Sequence, residues 1–128
     1  VIAEDNYAYV TLRSGNTCQG FTNQLDIVKL NNFTDPKLEK TYQMSNPHGL
    51  SKDGNTLFIC DGAAGLKVYN AADVQNLQLI TTIEGIETFD VIAMNGVALV
   101  VTKDGLYQYD YTNLQQIKLL SKINVSLQ

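Results

Sequence analysis

One short stretch, Leu66-Lys67-Val68-Tyr69, constrains this chain more than any other, because it occurs three times. Leu25-Asp26-Ile27-Val28 stands 41 residues before it, and Leu106-Tyr107-Gln108-Tyr109 stands 40 residues after it. A fixed period of about 40 residues marks a repeat unit that cannot bury its apolar face alone, so neighbouring units must stack.

The units align beyond that stretch. Val1-Ile2-Ala3 corresponds to Leu50-Ser51-Lys52 and to Val91-Ile92-Ala93, and a tight turn follows each: Asp5-Asn6, Asp53-Gly54 and Asn95-Gly96. Asp-Gly and Asn-Gly tolerate the positive φ angles of a two-residue hairpin, which predicts antiparallel strands on either side. Tyr7-Ala8-Tyr9-Val10, Leu57-Phe58-Ile59-Cys60 and Ala98-Leu99-Val100-Val101 come next. They are almost continuously apolar, as strands buried on both faces are. The repeated Leu stretch is the third strand. A fourth follows in Lys37–Tyr42, Gln78–Ile83 and Lys118–Ile123, where polar residues and lysines return as they do on guarded sheet edges. Four antiparallel strands per unit, apolar inside and charged outside, predict an all-β fold. The expectation is one β-propeller domain of three four-stranded blades, about 1–44, 45–85 and 86–128. Closed rings use about four to eight blades, so these three are expected to belong to a longer chain or to a ring completed by a second copy.

The first unit departs from the others in residues 12–24, a long loop where its counterparts have a short turn. Insertions in repeat proteins map to loops, often on the binding face, although a long surface loop costs little stability in any case. In a propeller this loop opens on the same side as the connections between blades. That face gathers Cys18, Phe21, Met44, His48, Asp61, Glu84, Glu87, Phe89, Asp90 and Asp104 as candidate binding residues.

His48 is the only histidine, at the start of an innermost strand. It has the chemistry to bind a metal or take a proton, but no His, Cys or Glu stands at a ligand spacing, which favours a structural role. Asp90, Glu84, Glu87 and Asp61 carry the oxygen ligands a cation needs. No dense acidic loop supports that, and solvated turn carboxylates are the plainer reading. No metal, cofactor or catalytic residue is assigned. Cys18 and Cys60 leave two readings open, a bridge as in exported proteins or a buried free thiol at Cys60. Asn32-Phe33-Thr34 and Asn124-Val125-Ser126 match a glycosylation pattern that is common by chance. Tyr7, Tyr9, Tyr69, Tyr107 and Tyr109 alternate at strand spacing and are expected to pack between blades.

Composition narrows the partners. The net charge is −4, which argues against nucleic acid, whose phosphates call for a basic face. The longest apolar run, Val97–Val101, is far short of the ~18 residues of a transmembrane helix. Nucleophile elbows, phosphate loops and zinc-protease motifs are absent from the sequence.

The motifs Tyr7-Ala8-Tyr9-Val10, Leu25-Asp26-Ile27-Val28, Asp35-Pro36-Lys37-Leu38 and Gly65-Leu66-Lys67-Val68-Tyr69-Asn70 resemble the LVIVD-repeat family. Lys29 and Asn70 replace the aspartate that usually follows the third strand, which only Asp110 keeps, and the third unit lacks Asp-Pro. The resemblance implies an exported propeller, often on a cell-surface lipoprotein of the Gram-negative outer membrane, anchored by lipid outside this stretch. It carries over no catalytic residue. The function expected from it is a non-enzymatic binding or scaffold module with protein partners. The alternative is a propeller enzyme or glycan-binding domain using the acidic loop residues.

Overall fold

Two-residue turns fix the strand register. In the computed structural model, which describes residues 1–14, 22–31 and 34–125, Asp5 and Asn6 have φ of 53° and 66°, and Asn95 and Gly96 have 53° and 88°. Left-handed conformations at both central positions twist with the flanking strands, as in the favoured hairpins. These turns join β1 (Ile2–Glu4) to β2 (Tyr7–Leu12) and β9 (Thr88–Met94) to β10 (Val97–Thr102). The second unit slips by one residue from the expected Asp53-Gly54 turn. Asp53 is the last residue of β5 (Leu50–Asp53) and pairs with Thr56 at the start of β6 (Thr56–Cys60). Gly54 and Asn55 make the bend, and only Gly54 takes a positive φ, 57°. Glycine can supply that angle from the first turn position as readily as from the second.

The remaining strands are β3 (Gln24–Lys29), β4 (Lys37–Gln43), β7 (Leu66–Asn70), β8 (Gln78–Ile83), β11 (Gly105–Asp110) and β12 (Lys118–Asn124). They form three antiparallel sheets of four, ordered β1-β2-β3-β4, β5-β6-β7-β8 and β9-β10-β11-β12, and no helix occurs among the described residues. In every sheet the third and fourth strands slip register at the same place, at Ile27/Val28, Val68/Tyr69 and Gln108/Tyr109. Gly65 and Gly105 precede β7 and the body of β11 for one shared reason. A Cβ at Gly65 would lie 2.1 Å from the Ile83 carbonyl oxygen, and one at Gly105 would lie 2.0 Å from that of Ile123.

The three sheets stack face to face, with β5 beside β9 and β1 approaching β5. Tyr9, Leu25 and Ile27 of the first sheet meet Leu50, Leu57 and Ile59 of the second. Phe58, Cys60, Leu66 and Val68, on the second sheet's other face, meet Val91, Ala93, Ala98, Val100, Tyr107 and Tyr109 of the third. The middle strand β6 is therefore buried on both faces. The third sheet corrects the expectation of doubly buried strands. In β10, Ala98 and Val100 are buried, but Leu99 and Val101 are 40% and 45% exposed, because among the described residues only one face of that sheet has a neighbour. The strand β12 is exposed throughout.

Polar contacts lock the seams. The Tyr42 hydroxyl of β4 donates to the Val74 carbonyl at 2.7 Å and accepts from the Leu77 amide at 3.1 Å, both in the loop between β7 and β8. Ile83 takes the corresponding place in β8, paired with Leu66 as Tyr42 is with Leu25, and packs on the core cluster of the next seam, as do Leu114 and Ile117. Lys52 pairs with Glu4 at 3.4 Å and lies over the Tyr9 ring. The Tyr111 hydroxyl donates to Asp53 at 2.5 Å. Burial, then the Asp53 carboxylate, push the Tyr111 phenol up to about 12. As expected from their alternation, Tyr9, Tyr107 and Tyr109 are core residues, and Tyr7 and Tyr69 pack against the first cluster.

Candidate functional site

Where β2 ends and β5 and β9 begin, the three units leave an open pocket of about 420 Å³. Thr11, Arg13, His48, Phe89 and Asp90 are among the groups that line it. The backbone around His48 is held from three sides. The His48 amide donates to the Cys60 carbonyl at 2.7 Å, the Thr11 hydroxyl donates to the His48 carbonyl at 2.7 Å, and the Gly49 amide donates to the Phe89 carbonyl at 2.9 Å. The His48 ring meets Phe89 edge-on with centroids 5.2 Å apart.

Both ring nitrogens have partners. The Arg13 guanidinium hydrogen-bonds His48 Nδ1, and the Asn46 side-chain amide lies 3.2 Å from Nε2. Arginine has only donors, so Nδ1 must keep its lone pair, and the proton of the neutral imidazole sits on Nε2. Asn46 then turns its oxygen to Nε2, an assignment made from the network rather than observed. Partial burial and the Arg13 charge hold the imidazole below its ordinary range, against the opposite pull of Glu87 and Asp61. A base whose folded pKa is lowered makes folding less favourable as pH falls below the unfolded value, about 6.5, towards the folded one. Because the chain has one histidine, its ring protons report this directly in an NMR titration. We expect a midpoint below 6.5, moved upward by Arg13→Gln. A midpoint at or above 6.5, or no movement in the variant, would contradict the assigned network.

Asp90 reaches the pocket because residue 49 is glycine. A Cβ there would lie 2.1 Å from Asp90 Oδ1. The same oxygen accepts from the Val91 amide at 2.9 Å. The pocket thus presents a guanidinium, a neutral imidazole, a carboxylate and an aromatic edge together. Such a set has both donors and acceptors for hydrogen bonds to polar groups of either charge.

Asp61 lies beneath this surface rather than on it. It is completely buried. One carboxylate oxygen accepts from the Ser45 and Asn46 amides at 3.0 and 2.7 Å, and the other meets Lys67 Nζ at 2.6 Å. Burial alone would raise its pKa; Lys67 and the two amides overcome that and hold it below the ordinary carboxylate value. With its lone pairs committed, Asp61 serves the connection into the second sheet, which corrects its place on the exposed face. Met44 is likewise drawn inward. It packs on the first core cluster, and the Tyr69 hydroxyl reaches its sulfur at 3.8 Å.

The other expected residues divide by position. Glu87 is half-buried, and its carbonyl accepts from the Lys103 amide at 2.9 Å. Glu84 is exposed, and Asp104 is an exposed turn residue whose amide donates to the Thr102 hydroxyl at 3.2 Å. No group of three or more His, Cys, Asp or Glu side chains converges as a metal site would among the described residues. Cys60 is a buried free thiol, pushed up to about 12 by burial and hence unreactive near neutral pH. Cys18 and Phe21 lie outside the described residues, as do the core of the long first-unit loop and parts of both glycosylation patterns. Reading the sequence singled out none of Thr11, Arg13, Asn46 and Lys67, although Arg13 and Asn46 lie in the 12–24 and 44–48 stretches it assigns to this face. Thr11 and Arg13 were legible in principle, because they continue the alternation of Tyr9 along the face that meets the second sheet. No family model and no curated protein matches this chain.

Proposed function

We propose that the chain is a sector of a β-propeller of the LVIVD-repeat type and acts as a non-enzymatic binding module. Three observations support the propeller reading. The units have one topology, they stack in sequence order, and their first strands run side by side at one edge. The binding role rests chiefly on the pocket of Arg13, His48, Phe89 and Asp90, which opens where those first strands begin. Its mixed polar chemistry suits a protein loop or a polar peptide segment. Together with the repeat motifs, this favours an exported protein held at a cell surface within a multiprotein assembly.

The test is affinity purification of the tagged protein from its native membrane fraction, followed by mass spectrometry. Arg13→Ala combined with Asp90→Ala should keep the wild-type circular dichroism yet lower partner recovery at least fivefold. Equal recovery with the folded double variant would remove the pocket from the binding role.

A further inference from the structure

The third sheet carries an apolar surface that the described residues leave open. Ile92, Met94, Leu99, Val101 and Ile123 are all exposed. Register places them on one face: Leu99 pairs with Ile92, Val97 with Met94, Val101 with Leu106, and Leu106 with Ile123. At its upper end is an apolar groove of about 490 Å³, lined by Phe89, Val101, Thr102, Gly105, Leu106 and Val125 among others. Contiguous apolar patches of this kind on soluble proteins mark interaction sites.

The strand register also says what this face corresponds to. Tyr9, Phe58 and Leu99 hold the same place in their sheets, opposite Ile27, Val68 and Gln108 of the third strands. Tyr9 and Ile27 form the front of the first sheet and cover the second; Phe58 and Val68 form the front of the second and cover the third. Leu99 belongs to the same front on the third sheet, where nothing described lies against it. The backs correspond as well. Leu57 and Ile59, then Ala98 and Val100, are the backs of the second and third sheets, both buried in seams. Their counterparts in the first sheet, Ala8 and Val10, are only half-buried, beside a half-buried Val28. One chain thus carries an open front and an open back, the two halves of a junction it already forms twice.

We propose that a second copy of this chain covers the front of the third sheet with the back of its first sheet. The inference rests on reading the three sheets as neighbouring blades. Ala8 and Val10 match in kind Ala98 and Val100, which fill the back of the third sheet, while Val28 stands where Tyr69 and Tyr109 stand in the other two. A two-fold axis repeats the contact at the other end, so two copies close into a ring of six sheets with no open face. A front-to-back contact that failed to close would instead run on into filaments.

Light scattering after size exclusion, at tens of micromolar protein, tests this. Two 14.1 kDa chains should give a species of twice that mass. Leu99→Lys spoils the front and Val10→Lys spoils the back. Each variant alone should fall to the single-chain mass with an unchanged circular dichroism spectrum. Mixed one to one, they should recover a two-chain species through the one junction that remains intact. If Leu99→Lys does not fold, Ile92→Lys takes its place, being more exposed. A single-chain mass for the wild type would overturn the proposal. A dimer that survives Val10→Lys, or a mixture that stays monomeric, would overturn the front-to-back arrangement. These failures differ from failure of the blade reading itself, which would show as internal seams that contribute no stability.

Discussion

Replacing Phe58 with alanine should cost about 4 kcal/mol of folding stability, as truncation of a buried aromatic does. Phe58 is 1% exposed and sits in the seam between the second and third sheets, with its ring centroid 4.8 Å from that of Tyr111 in an edge-to-face arrangement. Alanine removes the side chain that joins the two sheets and leaves a cavity walled by rigid strands, which cannot collapse to fill it. For a chain of this length the loss lowers the melting temperature by on the order of 10–15 °C. Urea unfolding followed by tyrosine fluorescence reads it as a lower midpoint. A change below about 1 kcal/mol would mean that the seam does not hold the sheets together, since surface substitutions fall in that range.

Asp61→Ala should be nearly as damaging, at about 3 kcal/mol, because it leaves a half-buried cation and two partly buried amides without the buried acceptor they share. The partners lie in two parts of the chain. Lys67 belongs to β7 of the same sheet, and Ser45 and Asn46 belong to the connection from the first sheet. Combining Asp61→Ala with Lys67→Met should recover part of the loss, because the stranded charge is gone while the two amides stay unsatisfied. Acid should mimic the single substitution. The Asp61 carboxyl is held below the ordinary aspartate value, about 3.9, so its contribution is full above that value and is lost as pH falls through the folded pKa. Additive effects in the double variant would show that the ion pair is not the coupling element.

The fold was legible because its signals are local and come three times. Asp5-Asn6 and Asn95-Gly96 declare hairpins wherever they occur, and alternation within a four-residue strand declares its faces. Where one turn was misplaced, at Gly54-Asn55, two adjacent residues could each have supplied the positive φ, and only pairing to Thr56 decides between them. The site was less legible, because the fate of a polar side chain depends on its surroundings rather than on its type. Asp61 and Asp104 both read as turn carboxylates. One is sealed under a loop by Lys67, and the other stands in water. Lys67 itself lies in a strand of otherwise apolar pattern, and nothing in that pattern says that its ammonium would reach back to residue 61. Arg13 and His48 are 35 positions apart in sequence and meet only because the first two sheets stack.

The register slip between third and fourth strands, found at the same place in all three sheets, bears on how such a chain can arise. Each unit carries the same irregularity at the same place between its two outer strands. A duplicated unit therefore finds a mating surface already in existence and needs no compensating change elsewhere. Lineages built this way can lengthen or shorten by whole modules, with the number of modules decided by geometry rather than by the identity of any residue. Sequence drift is then tolerated unequally. The middle module answers to two neighbours at once, and Phe58 and Ile59 can change only with the consent of both.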